Sequence, residues 1–253
     1  MNAKLNALGS SALDIESLDP FFHALFENCK HVTPLLDGKV SVPECEQLLP
    51  QQTEQNRRLL GVLYQRLSEQ HTSAGNGYWI TRTWDLVCWQ PMFVAFVAVY
   101  ACRGVPRFDS MAQTVDGHWI AGFSFETQAH QHGELPKLIE LAGRTLSALF
   151  EVYRQDIESF TRIRPGFTQS LMSDALLNCL FKLSHFEPTL TLEEAKTHAE
   201  LWLSAFQLRP RAAQQLYLDD DGTLNMHRIS CCQVYKCESG SYCDNCPKRA
   251  RSR

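Results

Sequence analysis

The chain has 253 residues, a net charge of −4, 44% apolar and 21% charged residues. That length builds one large core or two closely joined lobes, and the balance is that of an ordinary globular protein. Negative charge without a Lys/Arg-rich helix face or an RNA-binding aromatic signature excludes bulk attraction to nucleic acid or anionic lipid.

In chain order, helical signals dominate. Asp19-Pro20 reads as an N-cap and first-turn proline ahead of Phe21, Phe22, Leu25, Phe26 and Cys29 at helical spacing. Thr53 to Gln70 sets Leu59, Leu60, Leu63 and Leu67 on one stripe, and the run Thr72 to Gly77 closes it as a loop. Leu86 to Cys102 is apolar except for Gln90 and is interrupted by Pro91. It falls short of the roughly 20 residues of a spanning helix and is flanked by Asp85 and Arg103. A central buried helix is expected, with no transmembrane span, and peripheral membrane contact stays open.

Asp116-Gly117 between Ala112 to Val115 and His118 to Phe125 is a strong hairpin signal. Helical periodicity returns from Leu135 to Phe160, breaks at Pro165-Gly166, and resumes from Gln169 to Leu183. Thr191 with Glu194 forms a capping box for a further helix that stops near Pro210. Gln215 to Leu218, the turn Asp219 to Gly222, and Thr223 to Ile229 read as a second hairpin.

The chain holds ten cysteines. A disulfide scaffold belongs to short secreted chains, and Met1 to Glu16 carries no apolar signal core, so a reducing, cytoplasmic setting is expected. Cys29, Cys45, Cys88, Cys102 and Cys179 are scattered singly and read as small buried hydrophobes. The hairpin, by contrast, leads into Cys231-Cys232, ten residues, and Cys243-x-x-Cys246. A CxxC turns two sulfurs toward one metal, and four thiols serve zinc or an iron–sulfur cluster equally well. Adjacent side chains on extended backbone point to opposite sides, so closing Cys231 and Cys232 on one small ion distorts the chain. A two-iron cluster offers more room. Zinc is disfavoured but stays open, and the fifth local thiol, Cys237, fits neither reading better.

The segment Arg228-Ile229-Ser230-Cys231-Cys232, then ten residues and Cys243-Asp244-Asn245-Cys246, resembles the end of the FhuF-type ferric-siderophore reductases. The resemblance covers under a tenth of the chain. It implies a [2Fe-2S] cluster held by Cys231, Cys232, Cys243 and Cys246, in an oxidoreductase that reduces iron(III) within a ferric siderophore, a hydroxamate by family association, and releases iron(II) in the cytoplasm. Arg228 would then sit behind the ligands and tune the cluster, and the basic tail Lys248, Arg249, Arg251 and Arg253 would steer an acidic carrier.

The expected fold is α+β, predominantly helical with small antiparallel β-hairpins and a C-terminal iron–sulfur loop. Residues 1–210 would form the helical body with the siderophore pocket, and 211–253 the hairpin and cluster segment. No residue outside the cluster is expected to be catalytic: one-electron transfer needs no nucleophile, and no GxSxG, HExxH or P-loop occurs. No GxGxxG follows a strand, so electrons are expected from another protein, a ferredoxin- or flavodoxin-like donor or a reductase. Trp79, Arg82 and Trp84, beside the Gly-rich loop, are candidate walls for the chelate, although core packing explains them equally well. His130-x-His132 would put two imidazoles on one strand face; with no third ligand nearby in sequence, a polar turn is the plainer reading. Two other functions compete: a non-redox siderophore-binding or scaffold protein with a structural four-cysteine zinc site, and a cluster-based sensor, which lacks a DNA-reading basic helix.

Overall fold

A computed structural model describes residues 18–184, 186 and 189–249. Met1 to Glu16 and the tail residues Arg251 and Arg253 lie outside the described residues.

Helix α1 (Pro20–Val32) opens with the Asp19 carboxylate accepting from the Phe21 amide at 2.8 Å, which satisfies one of the free N–H groups of the first turn. Its buried face is the expected one: Phe21, Phe22, Leu25, Phe26 and Cys29. Short strands β1 (Gly38–Val40) and β2 (Gln47–Leu48) follow, then α2 (Thr53–Gln70), which buries Leu59, Leu60, Leu63 and Leu67.

The central helix α3 (Asn76–Tyr100) begins about a turn and a half after α2 ends and runs well upstream of the expected start at Leu86. The polar residues that hid its beginning are compatible with burial because they satisfy themselves. Thr81 and Thr83 donate their hydroxyls to the carbonyls of Gly77 and Trp79, one helical turn back. Only Thr72–Ala74 forms a separate turn, so Gly77 is helical and not part of the loop.

Pro91 lies inside α3 and has no N–H for the carbonyl of Val87 four residues earlier. The buried side chain of Gln113 supplies the missing donor, its Nε2 lying 3.0 Å from that oxygen. A proline that would otherwise leave a buried acceptor orphaned is thereby accommodated without ending the helix. The helix is long and apolar enough to cross a membrane, yet 78% of its most apolar window is buried within the protein, against α1, α2, α4 (Leu135–Glu158) and α5 (Pro165–Leu183).

After α3, β3 (Gly104–Pro106), β4 (Met111–Asp116), β5 (Trp119–Phe125) and β6 (His130–His132) supply the sheet structure. The expected hairpin is β4–β5, turning at Gly117 with φ +62°, a conformation that favours glycine. It is the centre of a four-stranded sheet ordered β1-β5-β4-β2, in which β1 pairs parallel to β5. Strand β3 pairs antiparallel with β6, so His130-x-His132 is a strand and not a turn. Helix α5 starts at Pro165 itself, because proline suits a first helical position, four residues before the expected start. Helix α6 (Leu192–Ala205) carries the expected capping box of Thr191 and Glu194.

Strands β7 (Leu216–Leu218) and β8 (Leu224–Met226) form the second hairpin. Its turn is held by Asp219 Oδ1, which accepts from the amides of Asp221 and Thr223. Leu216, Leu224 and Met226 enter the same core as the helices, with β7 against α6 and β8 against α5. Of the single cysteines, Cys29, Cys88 and Cys179 are buried and Cys102 half-buried, as small hydrophobes should be, whereas Cys45 is exposed.

Candidate metal centre

The last ladder contact of the second hairpin, His227 N to Gln215 O at 2.9 Å, delivers the chain to Arg228 beside α5. There a single carboxylate takes hold of it. Asp174, 3% exposed, accepts from the amides of Ile229 at 2.7 Å and Ser230 at 2.8 Å, and from the Ser230 hydroxyl, while Arg228 Nε lies 3.7 Å from its Oδ2. A buried charge is tolerated only when paired and hydrogen-bonded, and these three donors with the guanidinium meet that condition. Asp174 thus anchors the residues that lead into the cysteines. Nothing in the sequence singled it out except that it is an acid within the apolar run of α5.

The difficulty with adjacent cysteines is resolved by sending them to different partners. Cys232 Sγ lies 3.3 Å from Cys243 Sγ, and Cys231 makes its side-chain contact with Cys246. The turn between Cys243 and Cys246 is closed by the Cys246 amide bonding to the Cys243 carbonyl. Just after Cys232 the chain reverses at Gln233, a non-glycine residue with φ +60°, whose amide donates to the Cys231 sulfur. The Gln233 side chain packs so closely on α3 that a Cβ on Gly77 would sit 2.7 Å from its Oε1. Cys237 stands apart from the two pairs: it is the hydrogen-bond partner of the Tyr78 hydroxyl, whose pKa is pushed up to about 12, first by burial and then by this contact.

Two sulfur pairs suit a two-iron cluster, in which each iron takes two protein ligands. A single zinc ion needs all four sulfurs around one point, and among the described residues no three His, Cys, Asp or Glu side chains converge in that way. Burial raises the Cys231 and Cys243 thiols, and for Cys243 the neighbouring Cys232 adds to the effect while Arg228 opposes it. For Arg228 burial works against the charge, but Asp174, the Cys232 and Cys243 sulfurs and Asp85 outweigh it and hold the guanidinium above its ordinary range. Arg228 is therefore a fixed cation on the Cys232/Cys243 side of the quartet.

A cavity of about 300 Å³ opens beside it, lined by Trp84, Asp85, Trp89, Asp174, Arg228 and Cys243 among others. Arg228 and Cys243 also border a wide open groove of about 1400 Å³ that continues past Cys246 to Arg249. Asp85, partly open to the cavity, has its carboxyl pushed up to about 6 by burial, with Arg228 and Arg82 pulling the other way and Asp174 adding to the rise. The sequence marked Asp85 only as the flank of an apolar run.

Of the candidate walls, Trp84 lines the cavity, backed by an edge contact with Phe150. Trp79 and Arg82 do not line it. The Trp79 indole donates to the His71 carbonyl at 2.8 Å and meets Tyr64 edge-on, and the Arg82 guanidinium lies 4.7 Å over the Trp119 ring. At about 100° per residue, Trp79 and Arg82, five and two positions before Trp84, point well away from its side of the helix. In the basic tail, Lys248 lies 4.6 Å over the Tyr235 ring and Arg249 pairs with Asp244 at 3.4 Å.

Residues 228–248 match the family model described as the FhuF 2Fe-2S C-terminal domain. No solved structure matches the chain. The match begins at the arginine that Asp174 holds and takes in both sulfur pairs, and its cofactor agrees with the donor chemistry. The C-terminal segment is thus similar to the FhuF 2Fe-2S C-terminal domain, with a [2Fe-2S] cluster as its cofactor.

Proposed function

We propose that the protein is a ferric-siderophore reductase in which Cys231, Cys232, Cys243 and Cys246 hold the cluster. The observation that carries this reading is the position of Cys243, one of the paired sulfurs, in the wall of both the cavity and the open groove. Held by these cysteines, a cluster would supply one-electron redox chemistry between a ferredoxin- or flavodoxin-like donor and the iron(III) of a bound chelate, which would leave as iron(II).

The protein's own residues do the rest. Trp84 and Trp89 offer apolar faces to the organic part of a chelate, and the groove accepts what a cavity of about 300 Å³ cannot, since ligand sites run to about 1,000 Å³. Arg228, pinned by Asp174, places positive charge against Cys232 and Cys243 and so favours an added electron on that side. Trp79 and Arg82 keep a packing role in this reading. Lys248 and Arg249 flank the open groove and the cysteines, where an acidic electron carrier would approach. Iron(II) carries less charge than iron(III) and is held less strongly by hard hydroxamate oxygens, so reduction is the release step, in the cytoplasm.

The test is anaerobic purification with iron and sulfide counts, reduction, and titration with a ferric hydroxamate while iron(II) is trapped. One iron(II) per reduced protein is expected. A reduced protein that keeps its electron in the presence of the chelate overturns the reading.

A further inference from the structure

Away from the cysteines, on the strand pair β3–β6, two imidazoles face each other. His130 Nε2 and His132 Nε2 are 3.1 Å apart, the two residues lying on one strand face at an interval of two. Their other ring nitrogens decide what this means. His130 Nδ1 lies 3.0 Å from the Gln128 carbonyl and His132 Nδ1 lies 2.9 Å from the Arg103 carbonyl. A carbonyl oxygen only accepts, so each Nδ1 carries the ring proton and each Nε2 is left with a bare lone pair. Two lone pairs aimed at each other at 3.1 Å repel, and the arrangement calls for a positive centre between them.

Three further features mark a built site. Phe21 stacks on the His130 ring at 4.2 Å and 5°, fixing its plane. Arg103, whose carbonyl orients His132, is a non-glycine residue with φ +51°, a conformation that persists where the surroundings impose it. The Asp19 carboxylate comes within 4.0 Å of His130 Nε2 through Oδ1, the oxygen that also caps α1. A carboxylate absent from the local sequence thus stands beside the pair.

We propose that His130 and His132 bind a divalent transition-metal ion of the zinc, nickel or copper class through their Nε2 atoms, with water completing the coordination and the Asp19 carboxylate beside it. Metal–nitrogen bonds of about 2.0–2.1 Å at angles of about 90–109° set two nitrogens about 2.8–3.4 Å apart, which brackets the observed separation. Backbone carbonyls that lock the opposite ring nitrogen are the usual orienting partners of ligating histidines. A shared proton would instead leave a cationic imidazole pair beside Asp19, and zinc uptake separates the two readings. This site is independent of the cysteines and of the proposed reductase activity.

The test uses the full-length, cluster-loaded protein under anaerobic conditions, titrated with zinc ion against a chromogenic competitor, with bound metal counted. The natural sequence is expected to take up one zinc beyond its iron. His130→Ala and His132→Ala should each weaken that uptake by more than about tenfold, and Asp19→Asn by less, with the cluster absorption unchanged as evidence of folding. No zinc uptake, which is the shared-proton outcome, or equal uptake by the natural and doubly substituted proteins, would overturn the proposal.

Discussion

Replacing Asp174 by alanine tests whether the body of the protein holds the cluster loop from outside the motif. The substitution leaves two backbone amides and the Ser230 hydroxyl without their acceptor and Arg228 without its buried counter-ion. Each unsatisfied buried donor costs about 1–3 kcal/mol, and breaking a buried pair from one side about 3–5 kcal/mol. These losses overlap, and water reaches part of the loop, so about 3–5 kcal/mol in total is the reasonable magnitude. Whole domains have about 5–15 kcal/mol of stability, so the loop should undock before the body unfolds. Hydrogen exchange at the amides of Ile229 and Ser230 should quicken by about two to four powers of ten. Cluster absorption should decay faster under an iron chelator in anaerobic buffer, and Asp174→Asn should fall between the two proteins because it keeps one acceptor. If Asp174→Ala retains its cluster and its loop protection as the natural sequence does, the anchoring argument is wrong.

Serine in place of Cys231, Cys232, Cys243 or Cys246 should bleach or destabilise the visible cluster spectrum, whereas Cys237→Ser, which removes only the Tyr78 contact, should leave it largely intact. Asp85 gives a pH dependence. Its folded carboxyl, at about 6, lies above its ordinary 3.8, so the folded state holds the proton more tightly and loses stability as pH rises between those values. The cost is at most about 3 kcal/mol and is complete above about pH 6. Asp85→Asn should therefore raise the denaturant midpoint at pH 7.5 more than at pH 4.5; an equal gain at both would show that the neighbouring Arg228 and Arg82 already neutralise the charge. Gln113→Leu should lower stability by about 1–3 kcal/mol by orphaning the Val87 carbonyl opposite Pro91, an effect that Pro91→Ala in the same chain should relieve in urea unfolding.

Where local periodicity and caps settle an element, the sequence was sufficient. Asp19-Pro20, the Asp116-Gly117 turn and the Thr191/Glu194 box all form as read, because each acts through backbone groups a few residues away. The cysteine quartet was legible for the same reason: its ligand chemistry and spacing sit within sixteen residues of chain. The start of α3 was not legible, since Thr81 and Thr83 look polar until their hydroxyls turn back onto the helix.

What no sequence pattern expressed are contacts between distant segments. The crossed sulfur pairing depends on the reversal at Gln233 and its docking against Gly77; the anchor Asp174 is more than fifty residues from the amides it holds; Asp19 meets His130 across the molecule. The sequence by itself marked four thiols at a metal-binding spacing and pointed to a [2Fe-2S] cofactor. Only the tertiary structure decided which sulfurs pair, which charges face them and what cavity they border, because those depend on long-range packing that side-chain spacing does not encode.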